Sequence, residues 1–349
     1  MNYIISAYSG LGNTIQLTII IDEILKKDKE AKITFISDNK YGQLDYLAFV
    51  EGVETRFFSR LDFVGLWRFF KGNKQGFTLL PFLGSPTIIQ LLSYFSPNKI
   101  VQMTTQTLTK NKILAFFFKI FLGKRLNIIL YRDGKSELDL YLILINESYP
   151  SGHRKELNYP NLKIKENTNL LKKLKINKRY ICIQAGAANG NLTPKTWKKE
   201  NILEFTSLIE KSYSKFSVVL LGDKGDSVNF NINNPSLINL IGKTTLEELL
   251  VILNHAELVI CNDSSLMHIS TALRKRTLAL YGPTDFLRTF PSSPKTHMIK
   301  LDLECISCMK VKNLSEKQAL LKCPIDNACM RNLKAEMVLE KIESMNLLA

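Results

Sequence analysis

The chain has 349 residues, 45% hydrophobic and 23% charged, with a formal net charge of +15. That length exceeds what one core usually supports, so two domains of about 150 residues each are expected. The composition excludes a disordered chain, and the charge calls for an anionic partner: a phosphorylated substrate, an anionic membrane surface or nucleic acid.

Residues 1–13 lack a basic n-region, a long apolar h-region and a small-residue cleavage site, so no signal peptide is expected. The longest apolar run, residues 113–122, is short and carries Lys119, so no transmembrane helix is expected either. The first unit opens with a strand at 3–7 and the turn Ser9-Gly10-Leu11-Gly12-Asn13. A helix from about Thr14 to 27 and a strand at 32–37 follow. This is a βαβ start with a glycine-rich turn. Strand–helix alternation continues to about 130, although 57–122 has no clear period. Between 60 and 135 there are twelve Lys and Arg against Asp62 and Asp133, and fourteen of the 19 Phe precede residue 150. A basic, Phe-rich region fits either a membrane interface or a Phe core with a solvated basic face. Nucleic acid is the weakest reading of the charge, because no RNP, KH or zinc-finger pattern accompanies it.

Residues 146–178 are polar, with Pro150, Gly152 and Pro160, and read as the connection between domains. The alternation then restarts: strand 179–184, helix 196–213, strands 216–221 and 237–240, helix 245–254, strand 257–261, helix 265–273 and strand 277–281. Strands separated by helices of 10–15 residues predict a doubly wound parallel sheet. Residues 333–345 read as a terminal helix. No internal sequence repeat is visible.

The chemistry concentrates at the strand ends of this second unit. The strand at 257–261 runs into Asn262-Asp263-Ser264-Ser265 and at once into a helical pattern, Leu266, Ile269, Leu273. A helix starting there offers unpaired N–H groups and its positive dipole end to an anion. Asp263 and His268 flank that position. Two more loops fall at the same sheet edge: Gln184-Ala185-Gly186-Ala187, leading to Lys195 and Trp197, and Tyr281-Gly282-Pro283-Thr284-Asp285. A cation at Lys195 suits a departing diphosphate. Cys182 and Cys261 fall in core strands. Cys305, Cys308, Cys323 and Cys329 have the spacing C-x2-C-x14-C-x5-C. It would suit a four-thiolate zinc or iron knuckle, although reduced thiols are the favoured reading.

The ordered set resembles the family 9 glycosyltransferases, the heptosyltransferases of bacterial lipopolysaccharide synthesis. The matching pieces are Gly186-Ala187, Lys195-x-Trp197, Leu220-Leu221-Gly222 with Asp226, and Leu240-Ile241-Gly242-Lys243-Thr244-Thr245-Leu246. Asn262 to His268, 281–285 and the cysteine tail complete the set. At the N-terminus the match is confined to 9–25. The resemblance implies an α/β GT-B protein: two Rossmann-like lobes with a cleft, an acceptor lobe at 1–160 and a nucleotide-sugar lobe at 161–332. The terminal helix at 333–349 would cross back to the first lobe. It implies inverting, metal-independent transfer with no required cofactor. Gly186, Ala187, Lys195, Asp263, Ser264, Ser265, Leu266 and His268 would hold the donor, with Asp226 and Thr244 near the nucleoside. Lys195 and Asp263 would also serve catalysis. Gly10, Gly12 and Asn13 would face the acceptor. The implied donor is ADP-heptose, and the implied acceptor an anionic glycolipid at the cytoplasmic face of the inner membrane.

Two positions depart from the family pattern. Ser265 stands where glycine is usual. Asn13 stands where an aspartate is proposed as general base, and an amide has no useful proton affinity near neutral pH. Asp133 is a candidate replacement. The same departure motivates a second reading, a non-catalytic relative that binds nucleotide sugars or glycans.

Overall fold

The computed structural model describes residues 1–73, 76–81, 85–104, 120–130, 136–145, 159–186, 193–229, 234, 236–291, 293–311 and 315–348. Two compact units divide the chain, Met1–Lys163 and Ile164–Ala349. Each is built on one six-stranded, all-parallel sheet.

In the first unit the strands are β1 (Asn2–Ser6), β2 (Lys32–Ser37), β3 (Val53–Phe57), β4 (Gly76–Leu80), β5 (Lys99–Thr104) and β6 (Leu126–Leu130). Their order is β3-β2-β1-β4-β5-β6. In the second they are β7 (Arg179–Gln184), β8 (Phe216–Leu221), β9 (Leu237–Asn239), β10 (Leu258–Asn262), β11 (Thr277–Tyr281) and β12 (Thr296–Lys300), in the order β12-β11-β10-β7-β8-β9. Counted within each unit both orders are 3-2-1-4-5-6, the Rossmann arrangement. Two sequences with no visible repeat have thus built the same sheet twice, and this is the pair of Rossmann-like units of a GT-B fold.

Composition explains the strands. Every residue of β8, β10 and β11 is buried, and strands covered on both faces read as unbroken apolar runs. The edge strand β3 is largely exposed and carries Glu54 and Arg56, charges that discourage edge-to-edge pairing. Each unit has its own core. The second includes Trp197, Phe205 and the C-terminal residues Leu333, Val338 and Ile342. The Ala335–Ser344 helix therefore contributes to the core of the second unit, packing on the Lys199–Ser212 helix.

Three elements differ from expectation. The first helix starts earlier, at Leu11, because the Thr14 N–H already bonds the Gly10 carbonyl at 3.1 Å. Gly12 and Asn13 are therefore in its first turn rather than in a loop. It breaks at Thr18, whose hydroxyl turns back onto the Ile15 carbonyl at 2.6 Å, and resumes as Ile19–Lys27. The Lys199–Ser212 helix starts later than 196, because the Trp197 N–H is drawn to Asn262 instead. Residues 146–178 contain a short capped helix, Thr168–Lys173. Among the described residues no helix is long and apolar enough to cross a membrane.

Candidate functional site

In a 3-2-1-4-5-6 sheet, ligands sit beyond the carboxyl ends of the two central strands, where the connections diverge. In the second unit those strands are β7 and β10. Their ends, Gln184 and Asn262, carry the densest polar network there.

Asn262 is fully buried and joins three segments. Its side-chain amide donates to the Gly186 carbonyl at 2.9 Å and its Oδ1 accepts from the Trp197 N–H at 3.0 Å. Its own N–H donates to Gln184 Oε1 at 3.2 Å. The same Gln184 oxygen accepts from Ser264 Oγ at 2.7 Å. Trp197 is in turn pinned through its indole N–H to the Leu333 carbonyl at 2.6 Å. The loop after β7, the turn after β10 and the approach to the Lys199–Ser212 helix are thus held as one rigid edge. Sequence reading placed Asn262 in a motif but gave neither it nor Gln184 a role. The available signal was polar side chains ending two otherwise apolar strands.

On this frame sits the helix Ser265–Ala272. Ser264 caps it in extended conformation, its hydroxyl accepting from the Leu266 N–H at 3.2 Å. Ser265 is half-buried, while the Leu266 side chain is buried in the core. What Leu266 can present to a ligand is therefore main chain. Asp263 is buried immediately before the cap. A carboxylate there repels phosphate but accepts hydrogen bonds from hydroxyls. His268, one turn in, is also buried, and its pKa falls to about 3, through loss of solvation first and the nearby charge of Lys195 second. It is a neutral imidazole, able to donate and accept hydrogen bonds and unable to offer a cation. Lys195 is half-buried and within electrostatic reach of it.

The loops after β8 and β9 complete the edge. Asp226 is buried, and burial raises its pKa. One carboxylate oxygen accepts from the Asp223 N–H at 2.9 Å; the other is buried without a hydrogen-bond partner. The Asp226 carboxylate lies where a Cβ on Gly186 would sit, and 2.8 Å from where one on Gly222 would sit. Both glycines are therefore required by contact. Gly242 is required by conformation, with φ +67°. Its N–H bonds the Gly222 carbonyl at 2.9 Å, which draws the Thr244 loop to the Asp226 loop. Thr244 is half-buried, one residue before the Thr245 cap of the Leu246–His255 helix. The structure thus brings Gly186, Lys195, Asp226, Thr244 and Asp263 to His268 to one sheet edge. Ala187 lies outside the described residues.

The cysteine tail packs under this edge. A Cβ on Gly282 would meet Met330 Sδ at 2.7 Å and Cys329 Sγ at 3.0 Å, and the Ser307 N–H bonds the Gly282 carbonyl at 3.1 Å. Burial first, then the Cys308, Cys323 and Cys305 thiols, push the Cys329 thiol up to about 12. The other three sulfurs are therefore within electrostatic reach of Cys329. Among the described residues, however, no three His, Cys, Asp or Glu side chains form a group that could hold a metal ion. Cys182 and Cys261 are buried in β7 and β10, with thiol pKa values raised by burial.

The first unit places Gly10 as N-cap of the Leu11–Leu17 helix and half-buried Asn13 in its first turn, beyond the carboxyl end of β1. A Cβ on Gly10 would meet nothing within 4 Å, so the turn is open. Asp133 lies outside the described residues.

The profile of Glycosyltransferase family 9 (heptosyltransferase) matches residues 141–319. Lipooligosaccharide heptosyltransferase 2 of Campylobacter jejuni subsp. jejuni serotype O:6 is 29% identical over 218 residues. That match covers 59% of this chain and 63% of the relative, so the chain matches less than two thirds of that protein's length. Among solved structures, the E. coli ADP-heptose lps heptosyltransferase II superposes with a TM-score of 0.71 at 17% identity, covering 100% of this chain and 98% of that one. The E. coli heptosyltransferase WaaC with ADP-2-deoxy-2-fluoro heptose gives 0.65 at 14% identity, covering 99% and 100%. Both support the fold. The profile match spans more than half of the chain, and the chain belongs to glycosyltransferase family 9.

Proposed function

We propose that this family 9 glycosyltransferase transfers a sugar, heptose from ADP-heptose, onto a lipopolysaccharide core or a related surface-glycan acceptor. Transfer is inverting and needs no metal. The carrying observation is the clamped edge beyond β7 and β10, which holds a capped helix start, a cation and a buried carboxylate. The relatives named above, whose names specify heptose transfer and ADP-heptose, support the choice of donor.

The donor diphosphate sits at the start of the Ser265–Ala272 helix, where first-turn N–H groups have no intrahelical partner. Lys195 neutralises the charge that grows on the diphosphate as the anomeric bond breaks. Neutral His268 and the Asp263 carboxylate hydrogen-bond the sugar hydroxyls. The unpartnered oxygen of Asp226 accepts from the nucleoside, beside Thr244. Attack comes from the face opposite the leaving group, which inverts the anomeric centre. Asn13 orients the acceptor hydroxyl with Gly10 and Gly12, and the proton passes to a carboxylate, for which Asp133 is the candidate. Acting on a lipid-borne acceptor, the protein would work at the cytoplasmic face of the inner membrane.

The test is donor-dependent transfer followed by mass spectrometry. Lys195→Ala and Asp263→Ala should each lower turnover at least about a hundredfold; unchanged turnover in both would refute the site. A second reading rests on Asn13: a relative that binds nucleotide sugars without transferring them. It predicts ADP-heptose binding without product, unchanged by Asn13→Asp.

A further inference from the structure

The first unit carries an exposed apolar patch that no core requires. It is formed by Phe57 at the end of β3, Leu61 in the following loop, and Phe63, Val64 and Trp67 on the Phe63–Gly72 helix. Leu61 is 78% exposed, Phe57 63% and Val64 59%. The helix is two-sided. Leu66 and Phe70, four apart, are fully buried in the core of the first unit, while Phe63 and Trp67, also four apart, face outward with Val64. Large exposed apolar side chains scatter singly on ordinary surfaces; a contiguous group marks a contact.

The rim of this patch is basic. Arg68 and Lys71 are exposed on the same helix, exposed Arg56 precedes Phe57 on β3, and the Lys71 ammonium lies 4.7 Å from the Trp67 ring centroid. Of the nearby acids, Asp62 is engaged in capping, accepting from the Gly65 N–H at 2.9 Å, and Glu54 lies 3.9 Å from Arg56. Aromatic and aliphatic side chains ringed by Lys and Arg complement an anionic lipid surface: the apolar groups enter the acyl boundary and the cations meet the headgroups.

The patch is also fixed in place. The Tyr8 hydroxyl donates to the Phe58 carbonyl at 3.0 Å. Arg60 donates to the Tyr8 carbonyl at 3.2 Å and to Asp38 at 2.7 Å. These bonds tie the loop between β3 and the helix to the end of β1, two residues before Gly10.

We infer that Phe57, Leu61, Phe63, Val64 and Trp67, with Arg68 and Lys71, form an interfacial docking surface for an anionic lipid bilayer. It sets the acceptor turn at the depth of a lipid-borne glycan. The acceptor part of this inference rests on the proposed function; the lipid contact does not.

Trp67 makes the test direct, because the second tryptophan, Trp197, is buried. The full chain is titrated with vesicles of phosphatidylethanolamine and phosphatidylglycerol, and separately with phosphatidylcholine alone. The expected result is a blue shift of Trp67 emission, quenching by brominated acyl chains, and at least tenfold weaker partitioning to phosphatidylcholine. Leu61→Ser/Phe63→Ser/Val64→Ser should reduce partitioning at least tenfold while leaving transfer to a water-soluble, deacylated acceptor unchanged. Absence of vesicle binding, or binding without a change at Trp67, overturns the inference. So does a wild-type dimer in sedimentation that the triple variant disperses, because the patch would then pair with a second copy. Vesicle binding without glycosyl transfer would refute the proposed function alone. Transfer to the soluble acceptor without vesicle binding would refute the docking surface alone.

Discussion

The two sheets share one strand order, yet their carboxyl edges are finished in opposite ways. In the second unit the central strands end in Gln184 and Asn262, and one buried network locks three loops together. In the first, the edge beyond β1 is an open glycine cap and a half-buried Asn13, beside exposed Phe57, Leu61 and Phe63. A small, highly charged ligand repays a preorganised pocket, because rigid donors cost no reordering during reaction. A large amphiphilic partner brings its own order, and a surface with apolar and basic groups suffices. Under the proposed function, one fold would serve two partners through what it places at its strand ends.

The contrast can be broken most severely at its rigid side. Asn262→Ala should strand the Trp197 N–H and Gly186 carbonyl and destabilise the second unit by about 3 kcal/mol or more in denaturant titration. The reciprocal change on the open side, Gly10→Ala, meets nothing within 4 Å and should cost under about 1 kcal/mol. Equal losses would mean that the two edges are not differently organised.

A change of pH probes the buried imidazole. His268 is held near 3 in the folded protein against an unperturbed 6.5. The unfolded chain therefore binds the extra proton between those values, and the folded chain does not. The His268 contribution is full above pH 6.5 and is lost as pH falls, by up to about 1.4 kcal/mol per pH unit in that window. Comparing the pH dependence of Tm with that of His268→Gln isolates it. Parallel curves would place the imidazole in contact with solvent.

Loss of a helix cap sharpens the open side. Asp62→Ala removes the cap of the Phe63–Gly72 helix and should cost about 1 kcal/mol, read by amide exchange in the first unit. Vesicle partitioning should weaken with it, because the outward face depends on that helix. Unchanged partitioning would dissociate the patch from the helix.

Much of the second unit was legible in the sequence, for a physical reason. β7, β8 and β11 have the bounds that their apolar runs predict, because parallel strands covered on both faces tolerate few polar residues. The turn at 262–268 was legible because strand, cap and helix are adjacent in the chain. The clamp was not, because Asn262 acts on Gly186 and Trp197, 76 and 65 residues away. The 57–122 stretch resisted reading because its Phe63–Gly72 helix turns apolar residues outward. Periodicity assumes that apolar side chains face a core, and there several do not.

The most direct measurement is calorimetric titration of the wild-type chain, Lys195→Ala and Asp263→Ala with ADP-heptose. The expected result is one site per wild-type chain, with affinity at least about tenfold weaker in each variant. No binding by the wild-type chain, or equal affinity in all three, would contradict the assignment of the β7–β10 edge to the donor.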